Sequence, residues 1–401
     1  MPRNIWRVQW SASGLPFGIK FDEDNGTFSG TPDEAGMYLV PVQVRTNYGT
    51  SPVEDVAIVI EDHPRPAYAI GSKAAQWSES TSPDADGFRK LNIPDVNRLT
   101  ALWNGFGART LQGDWYVAGT AKDLFVAKNS QGAIKSFSDV YPDFNAVSKP
   151  VQFTVNGVLE MAAGIGVNNT IEVGYRTSSD EFFYATSTVV GTSTSKHYYC
   201  LSNVKKLQED YCGGLVGLQD NKFWLANGNY SRELPIIGAI KKIGVIESSN
   251  TLRYFYCLLM DGRLYQCASG TDSSVDQIRP EYGDIRNFWF IRGTSTQRFI
   301  QTYDNKLYAM GDNRYGYPLG LPEEKLYKDF ELVGYYSVKK ITYTGGATFM
   351  LTDNGRLYHT GKAVSGITDQ HTTFTQIFPN KVFQDVIACP SQKTLIATFK
   401  E

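Results

Sequence analysis

The chain has 401 residues and carries 39 Lys plus Arg against 41 Asp plus Glu, a net charge of −2 at pH 7. That balance excludes a long-range field drawing it to nucleic acid or to an anionic membrane surface. Its 24 Tyr, 22 Phe and 7 Trp favour strands, and the i, i+3, i+4, i+7 apolar spacing of helices is nearly absent, so the composition predicts an all-β protein.

The opening stretch MPRNIWRVQWSASG lacks the apolar run of a secretory signal peptide. Nowhere do about twenty apolar residues run together as a bilayer span requires. Both absences predict a chain made and kept soluble. Five cysteines (Cys200, Cys212, Cys257, Cys267, Cys389) stand far apart with no C-x-x-C pair. The spacing predicts free, buried thiols rather than a disulfide framework or a zinc site.

Within residues 1–62, segments 19–21, 38–46 and 53–60 alternate apolar and polar side chains between turns rich in Gly, Pro, Asn and Asp. This is the pattern of a small antiparallel β-sandwich. Asp22-Glu23-Asp24-Asn25-Gly26, and later Asp84-Ala85-Asp86-Gly87, look like short calcium loops, but neither continues to the closing Glu that an EF-hand supplies. Hairpin turns are the expectation at both. The punctuation Gly14-Leu15-Pro16, Gly18-Ile19, Phe21-Asp22, Gly26-Thr27-Phe28-Ser29-Gly30-Thr31-Pro32, Ala35-Gly36 and Tyr38 resembles the putative-Ig, cadherin-like family. The resemblance implies a non-catalytic Ig-like unit, adhesive or a spacer, as found in surface proteins and in tailed-phage virions. Trp6, Trp10 and Phe17 add apolar surface beyond what so small a sandwich covers, which predicts that residues 1–62 anchor the protein to a larger assembly. Pro64 and Pro66 make residues 63–66 a semi-rigid linker.

From residue 67 to 401 one phrase recurs: a tight turn on Asp, Asn or Gly, an aromatic strand, then a small residue. LLMDGRLYQCASG, QTYDNKLYAMGDN and MLTDNGRLYHTGK are the clearest copies. Recurrence of short strands at a period of about 40 to 50 residues is the signature of propeller blades. Aligning the strand aromatics Tyr68, Tyr116, Tyr184, Trp224, Tyr265, Tyr308 and Tyr358 gives seven units, and alternation places these rings between neighbouring blades. Units open on strands such as Val204-Lys205-Lys206-Leu207, Ile240-Lys241-Lys242-Ile243, Ile285-Arg286-Asn287-Phe288 and Val338-Lys339-Lys340-Ile341. Adjacent strand residues point to opposite faces, so the basic pairs Lys205-Lys206, Lys241-Lys242 and Lys339-Lys340 are expected at solvated edges rather than in an anion-binding ring. Residues 68–72 lack a first half and residues 383–399 lack an aromatic strand; together they are expected to complete a closing blade.

This grammar resembles the regulator of chromosome condensation repeat, which Asp304-Asn305-Lys306-Leu307-Tyr308-Ala309-Met310-Gly311-Asp312-Asn313-Arg314-Tyr315-Gly316-Tyr317-Pro318-Leu319-Gly320 reproduces almost fully. The resemblance implies a seven-bladed β-propeller over 67–401. Members of that family act as guanine-nucleotide exchange factors or β-lactamase inhibitors by binding protein partners. The long interval between Tyr116 and Tyr184 predicts an insertion within 121–150, read as a partner-binding loop, removable without loss of folding, or as decoration.

Catalytic signatures are missing. There is no G-x-S-x-G, H-E-x-x-H or P-loop, and Gly164-Ile165-Gly166-Val167-Asn168-Asn169 lacks the third glycine of a dinucleotide site. His63, His197, His359 and His371 lie apart in sequence, and His359 stands where other units carry Ala or Gln, the place of a partly buried blade residue. No catalytic, cofactor-binding or metal-ligating residue is assigned, and no cofactor or enzymatic activity is expected. The resulting expectation is a structural or binding protein of a bacteriophage virion, a tail-, collar- or capsid-attached fibre or adhesin assembled in the host cytoplasm. Residues 1–62 would hold it to other virion proteins, in multiple copies of a symmetric assembly, and the propeller loops would meet a host surface protein or glycan. The alternatives are a cellular propeller that binds a protein partner, as an exchange factor or inhibitor, and a glycan-processing propeller enzyme with a paired-carboxylate site.

Overall fold

In a computed structural model of the chain, the recurring phrase folds as one repeated turn. Gly113, Asp180, Gly262, Asn305 and Gly355 all adopt positive φ, from 58° to 90°. Each donates its N–H to the carbonyl three residues earlier, those of Thr110, Thr177, Leu259, Thr302 and Thr352, at 2.9–3.1 Å. Gly, Asn and Asp reach this backbone region at least cost, which explains the bias of the phrase. The hydroxyls of Thr110, Thr302 and Thr352 also accept the N–H of Asp114, Lys306 and Arg356 at 3.2 Å, pinning the turn to the strand that follows.

The structure describes the chain apart from residues 1–7, 14, 16–18, 31–35, 61–64, 79–81, 120–124, 145–148, 166–169, 191–192, 209–213, 220–221, 226–229, 234–239, 248–252, 269–274, 279–281, 293–295, 315 and 401. Trp6, Phe17, Cys212 and the first half of the proposed linker, His63 and Pro64, lie outside the described residues. Two compact units are present, Met1–His63 and Pro64–Glu401.

In the first unit, Gly36–Thr46 pairs with Gln9–Ala12, Gly49–Thr50 and Glu54–Ile60, and a separate hairpin joins Ile19–Asp22 to Thr27–Gly30. Phe21 and Phe28 face each other across that hairpin at 4.8 Å. Trp10 packs over its turn: a Cβ on Gly26, whose φ is +65°, would sit 2.8 Å from the Trp10 ring. Trp10 thus serves the module's own packing.

In the second unit the described residues build seven four-stranded antiparallel sheets, a seven-bladed β-propeller. Their first strands are Val96–Ala101, Val158–Ile165, Val204–Leu207, Ile240–Glu247, Ile285–Arg292, Val338–Thr344 and Phe383–Cys389, which number blades one to seven. First strands of blades one, five, six and seven line a shared cavity of about 30 Å³, so first strands are innermost. Blade seven runs Phe383–Cys389, Thr394–Phe399, Ala67–Gly71, Arg89–Lys90, with Leu395 opposite Ile70 and Ala397 opposite Tyr68.

All seven first strands carry a bulge at their second residue. This explains an apolar pair spaced by three, such as Val338 and Ile341, which strict alternation would send to opposite faces. The bulge absorbs one residue, and Val96 with Leu99, Val158 with Met161, Val204 with Leu207, Val338 with Ile341 and Phe383 with Val386 each enter one cluster shared with the preceding blade. The seven aligned aromatics all lie on third strands. Tyr68, Tyr116, Tyr308 and Tyr358 are half-buried against the cluster of the preceding blade. Blade two departs from the alignment: Phe183 takes that position, while Tyr184 turns toward blade three.

The insertion lies between the third and fourth strands of blade one, Trp115–Ala118 and Val151–Phe153. It contains a hairpin, Val126–Lys128 with Ile134–Ser136, and a short helical turn, Phe137–Val140. Phe125, Phe137 and Phe144 are buried with Phe153 and Tyr175; Phe137 stacks on Phe153 at 4.6 Å, and the Tyr175 hydroxyl donates to the Val126 carbonyl at 2.6 Å. A loop removable without loss of folding would not own this core, so that expectation is corrected by the packing.

Candidate functional site

The basic residues of the first strands are structural. Lys242 is 4% exposed, and its Nζ donates to Asn287 Oδ1 at 3.1 Å and to the Phe288 carbonyl at 2.7 Å. Arg286 is fully buried and pairs with Asp353 at 2.9 Å. Lys340 pairs with Asp385 of the next blade. Only Lys205, of those expected at solvated edges, fits that place clearly, at 53% side-chain exposure. The correction has two causes: first strands are innermost, and the bulge breaks the alternation on which the expectation rested.

The loop that best matches the repeat is a clasp between blades five and six. Fully buried Asn313 donates from Nδ2 to the Leu321 and Glu323 carbonyls, both at 2.8 Å, and its Oδ1 accepts the Leu319 N–H at 3.0 Å. The carbonyls of Tyr317 and Pro318 accept the hydroxyls of Thr360 and Thr348 at 2.9 and 2.7 Å. Arg314 forks onto Asp312 at 2.9 and 2.8 Å and holds its carboxyl below the usual carboxylate range.

The two acidic turns spend their oxygens locally. Asp22 accepts from the backbone of Asp24 and Asn25 at 2.9 and 3.1 Å and from the Asn25 side chain at 2.8 Å. Asp84 accepts the Asp86 and Phe88 N–H groups, and Lys381 bonds both Asp84 and Asp86, at 2.8 and 3.2 Å. No group of three or more His, Cys, Asp or Glu suited to a metal occurs among the described residues. Burial pushes the thiols of Cys200, Cys257 and Cys389 up, Cys257 to about 12, so they are poor nucleophiles.

His359 and His371 meet at 2.9 Å between Nδ1 atoms. His359 is fully buried rather than partly so, and burial, then His371, lowers its pKa to about 4. The unfolded chain takes up this proton near pH 6.5 while the folded protein resists it down to about pH 4. Stability therefore falls as pH drops through that window, by on the order of 3 kcal/mol, and the loss is complete below it. Urea melts at pH 7 and pH 4.5 should differ less in His359→Gln, which borrows the residue of blade four at this place, Gln266. An unchanged acid loss in that variant would show that other groups carry it.

Between blades four and five lies a cleft of about 470 Å³. Tyr254, Tyr256, Gln266, Gln277 and Ile278 line one side, and Arg298, Met310, Lys328, Asp329 and Phe330 the other. Tyr256 is fixed by a T-shaped contact to Phe290 at 4.3 Å, and its hydroxyl donates to Gln266 Oε1 at 2.6 Å. Burial pushes that hydroxyl up to about 12, so it stays a donor. The Arg298 guanidinium lies 5.9 Å from the centre of the Tyr254 ring and 4.0 Å from Met310 Sδ. The rim is the outer strand of blade five, Leu326–Tyr335, on which Leu326, Leu332 and Tyr335 are exposed. A volume in the range of about 300–1,000 Å³ with aromatic walls and a few polar groups suits binding. None of these residues carries a motif that sequence reasoning singled out as a site.

Residues 4–61 match the family described as "Putative Ig domain". No curated protein matches the chain. Among solved structures it is similar to Prp20p of Saccharomyces cerevisiae, from work on that protein's binding to Gsp1p and histones, at 12% identity and TM-score 0.58, covering 84% of this chain and 92% of that one. The yeast RCC1 (Prp20) structure bound to Kap60 matches at 12% identity and TM-score 0.58, covering 84% of this chain and 90% of that one. Human WBSCR16 matches at 12% identity and TM-score 0.53, covering 84% of this chain and 100% of that one. The chain therefore combines an Ig-like N-terminal module with a propeller of the RCC1 type, a likeness of fold.

Proposed function

We propose that the protein is a non-enzymatic binding propeller that docks a protein partner along the cleft between blades four and five, with the Ig-like module serving as its attachment or spacer unit. The observation that carries this reading is the cleft itself, lined by aromatic and charged side chains and edged by an exposed strand. Fold likeness supports it, since work on the yeast neighbour concerns binding to Gsp1p, histones and Kap60. The virion reading draws no support from these yeast and human neighbours, so partner binding of the cellular kind is preferred to attachment in a phage particle.

A photo-crosslinking amino acid at Lys328, on the rim, should give one discrete partner adduct that the same probe at exposed Thr373 on blade six does not. Equal labelling at both places, or at neither, would overturn the docking reading. Turnover of a glycan or peptide that disappears on replacing one carboxylate would overturn the non-enzymatic part.

A further inference from the structure

Several cations drawn into this propeller are matched by acids, and others, such as Lys242 and Arg356, are met by carbonyl oxygens; Arg298 in the cleft has neither among the described residues. Arg286 has Asp353, Arg176 has Glu160 and Asp180, Lys340 has Asp385, and Lys381 has Asp84 and Asp86. Arg298 is half-buried, and its contacts are the Tyr254 ring and the Met310 sulfur; among the described residues it pairs with no carboxylate, Asp329 on the same wall included. A guanidinium partly removed from water loses hydration that a neutral ring and a thioether replace poorly, and its planar fork fits a carboxylate. Beside it, Gln266 has given its Oε1 to Tyr256, which leaves its amide N–H groups as the donors it can offer a ligand.

We propose that this cleft receives a carboxylate borne beside an aromatic or long apolar side chain, an acidic residue of the partner's chain, with Arg298 as its receptor. The inference rests on the cleft being the partner site and names the chemistry recognised there. The charged lining, Arg298 and Lys328 against Asp329, sums to one positive charge, which suits a carboxylate better than a phosphate dianion. The apolar stem finds Tyr254, Met310 and Phe330.

The test titrates the full chain with 3-phenylpropionate and with its neutral amide, by saturation-transfer NMR at low salt. The acid should bind at least about tenfold more tightly than the amide, as a charge-assisted hydrogen bond in a partly dry site predicts. Arg298→Met, which keeps the stem, should bring the acid down to the amide's level, and Arg298→Lys should fall between. An unchanged thermal melt and circular dichroism spectrum certify that the variants fold. Equal binding of acid and amide, no binding of either, or a preference for the acid that survives Arg298→Met would overturn the inference. The cross-link at Lys328 separates the two proposals. If the adduct forms equally in Arg298→Met, docking stands and the carboxylate receptor falls. If the acid preference depends on Arg298 while nothing cross-links, the anion site stands and docking falls.

Discussion

A chain ended at Pro390 is expected to lose cooperative unfolding. The strand it lacks, Thr394–Phe399, pairs with Phe383–Cys389 on one side and with Ala67–Gly71 on the other, so its removal opens the ring and bares two edges. Leu395, Ile396 and Ala397 are at most 1% exposed, and Phe399 packs on Tyr68, Phe88 and Phe383 at 5.0, 5.1 and 5.2 Å. Each large apolar side chain lost from such a core removes roughly 2–3 kcal/mol by burial alone, and several together rival the whole stability of an ordinary domain, about 5–15 kcal/mol. Urea melts followed by tryptophan fluorescence should broaden, and an apolar dye should bind before denaturant is added. A truncated chain that melts with the parent's midpoint and slope would remove the argument.

Phe137→Ala is expected to cost about 3–5 kcal/mol, as large-to-small changes in a well-packed aromatic core do. Phe137 is fully buried, with Tyr141, Phe144 and Phe153 at 4.5, 4.8 and 4.6 Å, so little can collapse into the hole. Excision of 121–150 should do more harm, because it uncovers Phe153 and Tyr175 of the blade pair beneath. Chemical melts of the two variants check this. A loss under about 1 kcal/mol for Phe137→Ala would return the insertion to the class of surface loops, whose changes usually cost little.

The strand character of the chain, its repeat and the placement of its aromatics on third strands were legible in the residues, because those features are local. A turn that needs positive φ selects Gly, Asn or Asp at one place, as at Gly262, Asn305 and Gly355, and the phrase around it repeats whatever else the blade does. The N-terminal module was legible for the same reason, its glycines and prolines marking turns. Tertiary structure decided what those local rules leave open. A bulge in every first strand turned basic residues inward, so that Lys242 and Arg286 join blades instead of facing water; one extra residue in a strand changes the face of everything beyond it. Blade two slipped its aromatic position by one, from Tyr184 to Phe183, and the insertion acquired a core of its own. The cleft between blades four and five was illegible altogether: Tyr254, Gln266, Arg298 and Phe330 lie on four strands of two sheets, and only the packing of those sheets side by side sets them around one space, where Arg298 meets no acid among the described residues.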